Sequence, residues 1–489
     1  MKKAKPQAKK NVLDASVTTG VDGLDSILSG GYPAGRSTII RGVSGSGKTL
    51  FGLLFALCED KDNKPAVYVT FDESPESLER YLKAWGRPNA LTILDMRPDP
   101  ELQVAGNGVE LGGLLVRISH AVAKTGAKRL VLDAFDTLFS SFEDNRQVRL
   151  DLARVFDWCR KEGLTVLATT GESPDYRVAT GLMDYVADCA IRIQQSINNG
   201  LSTRVLHILK CRGRAHGTSE YPFLIHEQGI SLIPLSEVRM KIATSRRHLP
   251  TGVVELDKML GGKGIWGGRT TMISGQSGTG KSLLAMTIVN AACEQGKKAQ
   301  FFTFEESENQ AIQDNRSCGV DLRPHLKTGM LEIHSRRAIE CGLEEHIIHV
   351  WRMIIKSRPS VVVLDPVSSL TDLGDMRAFK STVIRLSSLL NGLGVTLIMT
   401  ELIPDDAASV SMLNVSSMVD TWIRLRREER DNQLVREIYI HKSRGAATSS
   451  DIREMQITHN GIVINAKTGG AAKPVRRVTD VSVSRSLQK

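Results

Sequence analysis

The sequence predicts an α/β protein made of two tandem domains, each a mostly parallel sheet covered by helices and ending in an antiparallel hairpin. Three observations carry this. Short apolar strands alternate with helix-length segments, as in a sheet buried on both faces. The entire order of motifs occurs twice: GVSGSGKT at 42–49 recurs as GQSGTGKS at 275–282, and TFDES at 70–74 as TFEES at 303–307. Near the end of each copy the alternation gives way to two adjoining strands, CAIRIQQ and TRVLHILK around Asn199-Gly200 in the first.

The chain has 489 residues, room for two or three domains that each bury a core. Its net charge is +10, from 64 Lys and Arg against 54 Asp and Glu. That excess sits in the arms. Residues 1–10 hold five lysines and no acid, and residues 466–489 hold six Lys or Arg against Asp480 alone. The body between is near neutral, which argues against a nucleic-acid or membrane-surface protein. Seven scattered cysteines with no C-x-x-C pair exclude a disulfide framework or a structural zinc site and read as buried small side chains. The basic start is followed by no apolar run, and the longest apolar stretches are too short to span a membrane, so a cytoplasmic protein is expected.

The boundaries follow from the repeat. A basic disordered arm covers 1–14, the first domain 15–235, a polar linker 236–250, the second domain 251–465 and a basic tail 466–489. Each copy opens alike, with TGVDGLDSILSGGYPAGR at 19–36 and TGVVELDKMLGGKGIWGGR at 251–269. A strand follows (STIIRG, then TTMISG), then a glycine loop, then a helix. From Lys48 that helix sets Leu50, Leu53, Leu54 and Leu57 at the spacing of a core-facing stripe. Strands PAVYVTF, RLVLDAF and LTVLATT come next. Trp85 and Trp351 fit helix faces, and His207, His216, His334, His346, His349 and His441 show no repeated ligand spacing, so they read as structural or surface groups.

G-x-x-x-x-G-K-[ST] between a strand and a helix is a phosphate-binding loop, in which backbone N–H groups curl round phosphates at the helix N-terminus. The first copy supplies Gly42, Ser44, Gly45, Ser46, Gly47, Lys48, Thr49 and Leu50, and the second Gly275, Ser277, Gly278, Thr279, Gly280, Lys281, Ser282 and Leu283. Lys48 and Lys281 would neutralise the β and γ phosphates of ATP. The hydroxyls of Thr49 and Ser282 would hold Mg²⁺, with Asp133 and Asp365, each ending an apolar strand, orienting it. Asp72-Glu73 and Glu305-Glu306 follow strand ends, where one acid of each pair could take a proton from an attacking nucleophile. Lys210, Cys211 and Arg212, and Lys442, Ser443 and Arg444, end the second hairpin strand of each copy, with the two cations on one strand face. In their own subunit they would add charge to an already cationic loop. Offered to a neighbour they act as arginine fingers, an arrangement that requires an oligomer.

With these motifs the sequence resembles the KaiC family of tandem RecA-type P-loop ATPases and autokinases over roughly residues 15–465, down to EYPFLIHEQGISLIPL closing the first half. The resemblance implies a double-ring homohexamer with ATP between subunits, a first ring that hydrolyses ATP slowly, and a second ring that phosphorylates itself, with possible autophosphatase activity and KaiB-like or other signalling proteins as partners. VSSMVDT at 415–421 stands where the family carries two phosphorylated hydroxyls, which puts Ser416 and Ser417 in that role, with Glu305 as base and Glu306 beside it. The first half has LMDYVADCA at 182–190 instead, so water is its acceptor, activated by Asp72 or Glu73. The departures are Asp72 for a glutamate, serine for threonine at the second phosphosite, and Cys318 for an aromatic near the adenine. Residues 466–489 do not resemble the segment that family members offer an activator, so no KaiA-like partner and no daily rhythm is implied. The competing readings are a RecA-like or helicase-like motor on DNA, disfavoured by the near-neutral body and few aromatics, and a nucleotide-gated scaffold.

Overall fold

The computed structural model describes residues 15–58, 65–97, 111–139, 145–172, 183–198, 201–233, 247–373, 376–403 and 419–465. In the first domain these form strand β1 (Ser37–Gly42), helix α1 (Lys48–Leu57), β2 (Ala66–Thr70), α2 (Pro75–Ala84), β3 (Thr92–Asp95), α3 (Leu111–Thr125), β4 (Arg129–Asp133), α4 (Asn145–Lys161), β5 (Thr165–Gly171), β6 (Cys189–Asn198), β7 (Leu201–Cys211), β8 (Glu220–His226) and β9 (Gly229–Leu232). They make one nine-stranded sheet in the order β9-β8-β7-β6-β1-β5-β4-β2-β3. From β6 through β1 to β3 every pairing is parallel, and from β6 outward to β9 every pairing is antiparallel.

The second domain repeats this plan. It runs β10 (Thr270–Gly275), α5 (Lys281–Glu294), β11 (Ala299–Thr303), α6 (Glu308–Ser317), β12 (Leu331–Ser335), α7 (Leu343–Ser357), β13 (Val361–Asp365), α8 (Met376–Gly392), β14 (Thr396–Leu402), β15 (Thr421–Arg430), β16 (Gln433–Ser443), β17 (Arg453–Thr458) and β18 (Gly461–Ile464). The sheet order is β18-β17-β16-β15-β10-β14-β13-β11-β12, the first order with nine added to each label. Even the irregularity is copied, since the hairpin register shifts between Ala190 and Ile191 and again between Trp422 and Ile423. The chain belongs, as its repeat implies, to the two-domain α/β class with a terminal hairpin in each copy.

Strands β2, β4, β11 and β13 are buried along their whole length because helices cover both faces. Along β4, Val131 joins a core cluster with Ile40, Tyr68 and Leu167, whereas Leu130 and Leu132 join a different one with Ile39, Val67 and Val166. Alternate side chains thus feed two cores, the period of two that a strand imposes. Helix α1 differs from the expectation. Its most buried residues are Phe51, Gly52, Leu53, Phe55 and Ala56, while Leu50, Leu54 and Leu57 are only half-buried. Of the leucine stripe, Leu53 lies in the core cluster and Leu50, Leu54 and Leu57 pack against its edge, where Leu54 and Leu57 also border a cleft.

Of the expected linker 236–250, residues 236–246 lie outside the described residues, and His248–Leu249 pairs with Ile265–Trp266 in the second domain. The two domains touch: α7 packs against β8, Leu224 and Ile233 join the second domain's apolar cluster, and the Arg352 guanidinium donates to Gln228 Oε1 at 3.3 Å. Among the described residues no helix is long and apolar enough to cross a membrane.

Candidate functional site

Each glycine loop leaves the C-terminal end of the central strand and enters a helix through a left-handed glycine, Gly47 at φ 100° and Gly280 at φ 97°. Their left-handed backbone makes both positions glycine by conformation, and a β-carbon there would also push on the tips of Ile225 and Ile457, at 2.6 and 2.8 Å. Ser46 and Thr279, fully buried, pin their loops by donating to the carbonyls of Val43 at 2.7 Å and Gln276 at 2.8 Å. Lys48 Nζ donates to the Gly42 and Val43 carbonyls, each at 2.9 Å, and Lys281 Nζ to the Gln276 carbonyl at 2.7 Å. Burial lowers both ammonium groups, Lys281 to about 8. The carboxylates of Asp136, Asp133 and Asp72 hold Lys48 up against that, and those of Asp365 and Glu305 do so for Lys281, with Arg427 adding to the depression. A partly desolvated cation at a helix N-terminus is a receptor for a polyanion.

Asp133 and Asp365 are buried at the ends of β4 and β13. Burial raises both carboxyls, opposed by hydroxyl donors: Thr169 at 2.5 Å and Thr49 for Asp133, Thr400 and Ser282 for Asp365. Ser282 Oγ lies 3.1 Å from Asp365 Oδ1. A hydroxyl and a carboxylate side by side, all oxygen, beside the phosphate loop fit the donor chemistry of Mg²⁺. Both expected pairs, Thr49 with Asp133 and Ser282 with Asp365, are therefore together.

The acid pairs divide the same way in both copies. Asp72 and Glu305 are exposed and act electrostatically on the loop lysines, whereas Glu73 and Glu306 are half-buried. Glu73 accepts from Ser77 Oγ at 2.6 Å. Its carbonyl and that of Glu306 are held by Thr70 and Thr303, at 2.6 and 3.2 Å. Glu305 accepts from Ser369 Oγ at 2.5 Å.

The cations lie elsewhere. Ala190 pairs with Lys210 across the hairpin and with Ile39 on β1, near the start of the strand whose far end carries the loop. Lys210 and Arg212 therefore stand at the opposite end of the sheet from their own glycine loop. Three residues separate Ile39 from Gly42, a rise of about 10 Å. Lys442 pairs with Trp422, which pairs with Met272, so the second copy repeats the separation. Lys210 Nζ and Arg212 Nη2 both donate to the Tyr185 carbonyl, at 3.3 and 2.7 Å. Burial, then the neighbouring arginine, lowers Lys210 and Lys442. Cys211, between the two cations, turns the other way and is buried in the core. Ser416 and Ser417 lie outside the described residues.

Three features went unread in the sequence, and aligning the two copies would have found them. Asp136 corresponds to Ser368. Its carboxylate accepts the Gly171 N–H at 2.9 Å, as Ser368 Oγ accepts the Leu402 N–H at 3.0 Å. A β-carbon on Gly171 would sit 2.9 Å from Asp136 Oδ2, so the longer acid requires the glycine, and the serine admits a leucine. Gly171→Ala should cost about 1–2 kcal/mol, and the pair Asp136→Ser with Gly171→Leu should remove most of that penalty. Urea denaturation of the single and double variants reads this out, and additive losses would show that the two positions are uncoupled. The second feature is Arg427, which corresponds to Gln195 and donates to the Gly278 carbonyl at 2.9 Å. The third is a cleft of about 560 Å³ bordered by Leu54, Leu57, Trp85, Arg87 and Gln228. Trp85 follows Asp72 by thirteen residues, as Cys318 follows Glu305 (85 − 72 and 318 − 305). In the second domain Gly319, which follows Cys318, lies close to the turn before the last strand, its would-be β-carbon 2.6 Å from Gly461 N.

Comparison with known proteins points to one family. The profile of the KaiC ATPase family covers residues 17–237 and 249–469, once per domain. The circadian clock protein KaiC2 of Synechocystis is 34% identical over 457 residues, 91% of this chain and 80% of that protein. KaiC3 of the same organism is 31% identical over 95% of this chain and 93% of its own length. The circadian clock oscillator protein KaiC of Synechococcus elongatus is 31% identical over 91% and 88%.

Proposed function

The chain belongs to the KaiC family of ATPases, and from that premise we propose that it is a homohexameric double ring whose first domains hydrolyse ATP and whose second domains phosphorylate Ser416 and Ser417 of their own assembly. It binds ATP through two phosphate loops, as a tandem ATPase of this family. The proposal adds the assembly, the second chemistry and its site, and a cytoplasmic signalling or timing role.

One observation carries it. Lys210 with Arg212, and Lys442 with Arg444, sit at the end of the sheet remote from their own loops, so they can neutralise a transferring phosphoryl group only on a neighbour. A head-to-tail contact of this kind, repeated round a closed ring, gives every loop a borrowed pair of cations.

Within each site the roles follow from reach and exposure. Backbone N–H groups of the glycine loop and Lys48 or Lys281 bind the phosphates. Thr49 with Asp133, and Ser282 with Asp365, would hold Mg²⁺, which supplies charge neutralisation at the β and γ phosphates. Asp72, exposed beside Lys48, is suited to take the proton of a water. Glu305 is suited to take that of a serine hydroxyl, as it already accepts from Ser369. Glu73 and Glu306, tied at their backbones, stand beside the exposed acid. In the first domain residues 182–190 read LMDYVADCA, without a serine pair, which leaves water as acceptor.

The test is to incubate the purified chain with Mg-ATP and record native mass and phosphopeptides together. Six chains per particle and phosphate on Ser416 or Ser417 are the expected result, and a monomer would overturn the reading. Ser416→Ala with Ser417→Ala should erase incorporation while ATP turnover in the first domain continues. An intact mass that still rises by whole phosphates would reassign the acceptor.

A further inference from the structure

We propose that Cys189 and Cys211 are an oxidisable dithiol, a modification site in the first domain at which hydrogen peroxide converts two buried thiols into a cross-strand disulfide. The two residues are direct partners in the β6–β7 ladder, and both are free thiols in the same core cluster. Facing residues of an antiparallel pair hold their Cα atoms about 4.5–5.5 Å apart, inside the roughly 4.4–6.8 Å that a disulfide spans. The other copy supplies an internal control. Thr421 and Ser443 occupy the same two places, and their hydroxyls meet at 3.3 Å. The side chains at this register thus point at each other in both domains, and only the first domain makes the pair redox-active.

The two thiols are unequal. Cys211 is held down to about 7, chiefly by a hydrogen bond from the Cys189 thiol and then by the Arg214 and Arg36 guanidinium groups, with burial opposing. Cys189 is pushed well up by that same bond and by burial, and it is fully enclosed, whereas Cys211 is 6% exposed. Cys211 is therefore the nucleophile and Cys189 the resolving thiol. The Cys211 thiolate attacks the peroxide O–O bond, gives sulfenic acid and releases water after one proton is taken up. The Cys189 thiol then attacks that sulfur, forms the S–S bond and releases a second water. Sulfur loses two electrons overall, and the peroxide gains them.

The consequence rests on the trans reading above, although the disulfide does not. Cys211 lies between Lys210 and Arg212 and next to the Ala190–Ile191 register shift, so a bond from its sulfur to β6 fixes the strand end that carries both cations. A displacement of about 1 Å at such a group costs on the order of a hundredfold in rate. Oxidation should slow first-domain ATP turnover at least tenfold and reverse with dithiothreitol.

The full-length chain is treated with hydrogen peroxide at low molar excess, alkylated, digested without reductant and mapped. The expected result is one new linked peptide pair, Cys189 with Cys211, and none joining the other five cysteines. Cys189→Thr, which installs the residue that the second domain carries there, should leave basal turnover unchanged, abolish the link and let Cys211 proceed to sulfinic acid. Cys211 alkylated equally before and after peroxide, or linked to another cysteine, would overturn the dithiol. A mapped disulfide with unchanged turnover would overturn its effect on the cations while leaving the modification site standing.

Discussion

Two inactive variants mixed together should recover activity. Lys281→Ala removes the cation of the second phosphate loop, and Arg444→Ala removes one offered from the far end of the sheet. Each alone should lose phosphate incorporation by about a thousandfold or more, the lower range for a trans arginine on a transferring phosphoryl group. In a mixed ring an Arg444→Ala chain contributes its intact loop, and a Lys281→Ala neighbour contributes its intact arginine. With random assembly from equal amounts, about a quarter of the interfaces carry both intact groups. Radiolabelled phosphate on Ser416 and Ser417 should therefore return to about a quarter of the wild-type level. If the cations served their own subunit, mixing would restore nothing, because neither chain holds a complete set. The variants leave the first-domain loops whole, so assembly through the first ring is not at issue.

Lys48→Ala should abolish nucleotide binding in the first domain and weaken the ring. Lys48 Nζ lies against the loop carbonyls of Gly42 and Val43, and burial has already removed part of its hydration. It gains more from a polyanion than an exposed lysine would. Its loss leaves Asp133, Asp136 and Asp72 without the cation that balances them, so the site repels a phosphate chain. A ligand that binds only at the contact between subunits stabilises that contact by mass action. Native mass spectrometry across an ATP titration should show hexamers at far higher nucleotide for this variant than for wild type, and turnover reduced to the second-domain contribution. A ring that forms at unchanged ATP while the first domain binds none would place the first nucleotide away from the subunit contact.

The architecture was legible because duplication wrote it twice. Strand, glycine loop, helix and strand-end aspartate recur in order, and each signature depends on backbone geometry within a few residues. Gly47 and Gly280 need left-handed backbone, and Asp133 and Asp365 close apolar runs. Side-chain facing was read less well. The leucines of α1 have helical spacing, yet Phe51 and Phe55 take the sheet face, since spacing identifies a stripe but not which of two apolar stripes the sheet accepts. Asp136 was passed over because its meaning depends on Gly171, thirty-five residues away in sequence and in contact in space.

By itself the sequence determined two α/β domains, two phosphate loops and the residue types that surround them, since each follows from local conformational rules on a short stretch of chain. Only the tertiary structure decided which acid of each pair faces its lysine, that Cys211 turns inward to Cys189, and that the hairpin cations stand remote from their own loops. The physical reason is strand order. A β-strand carries no record of which neighbour it will pair with or at which end of the sheet it will stop, and those two facts decide whether a cation serves its own phosphate or another's.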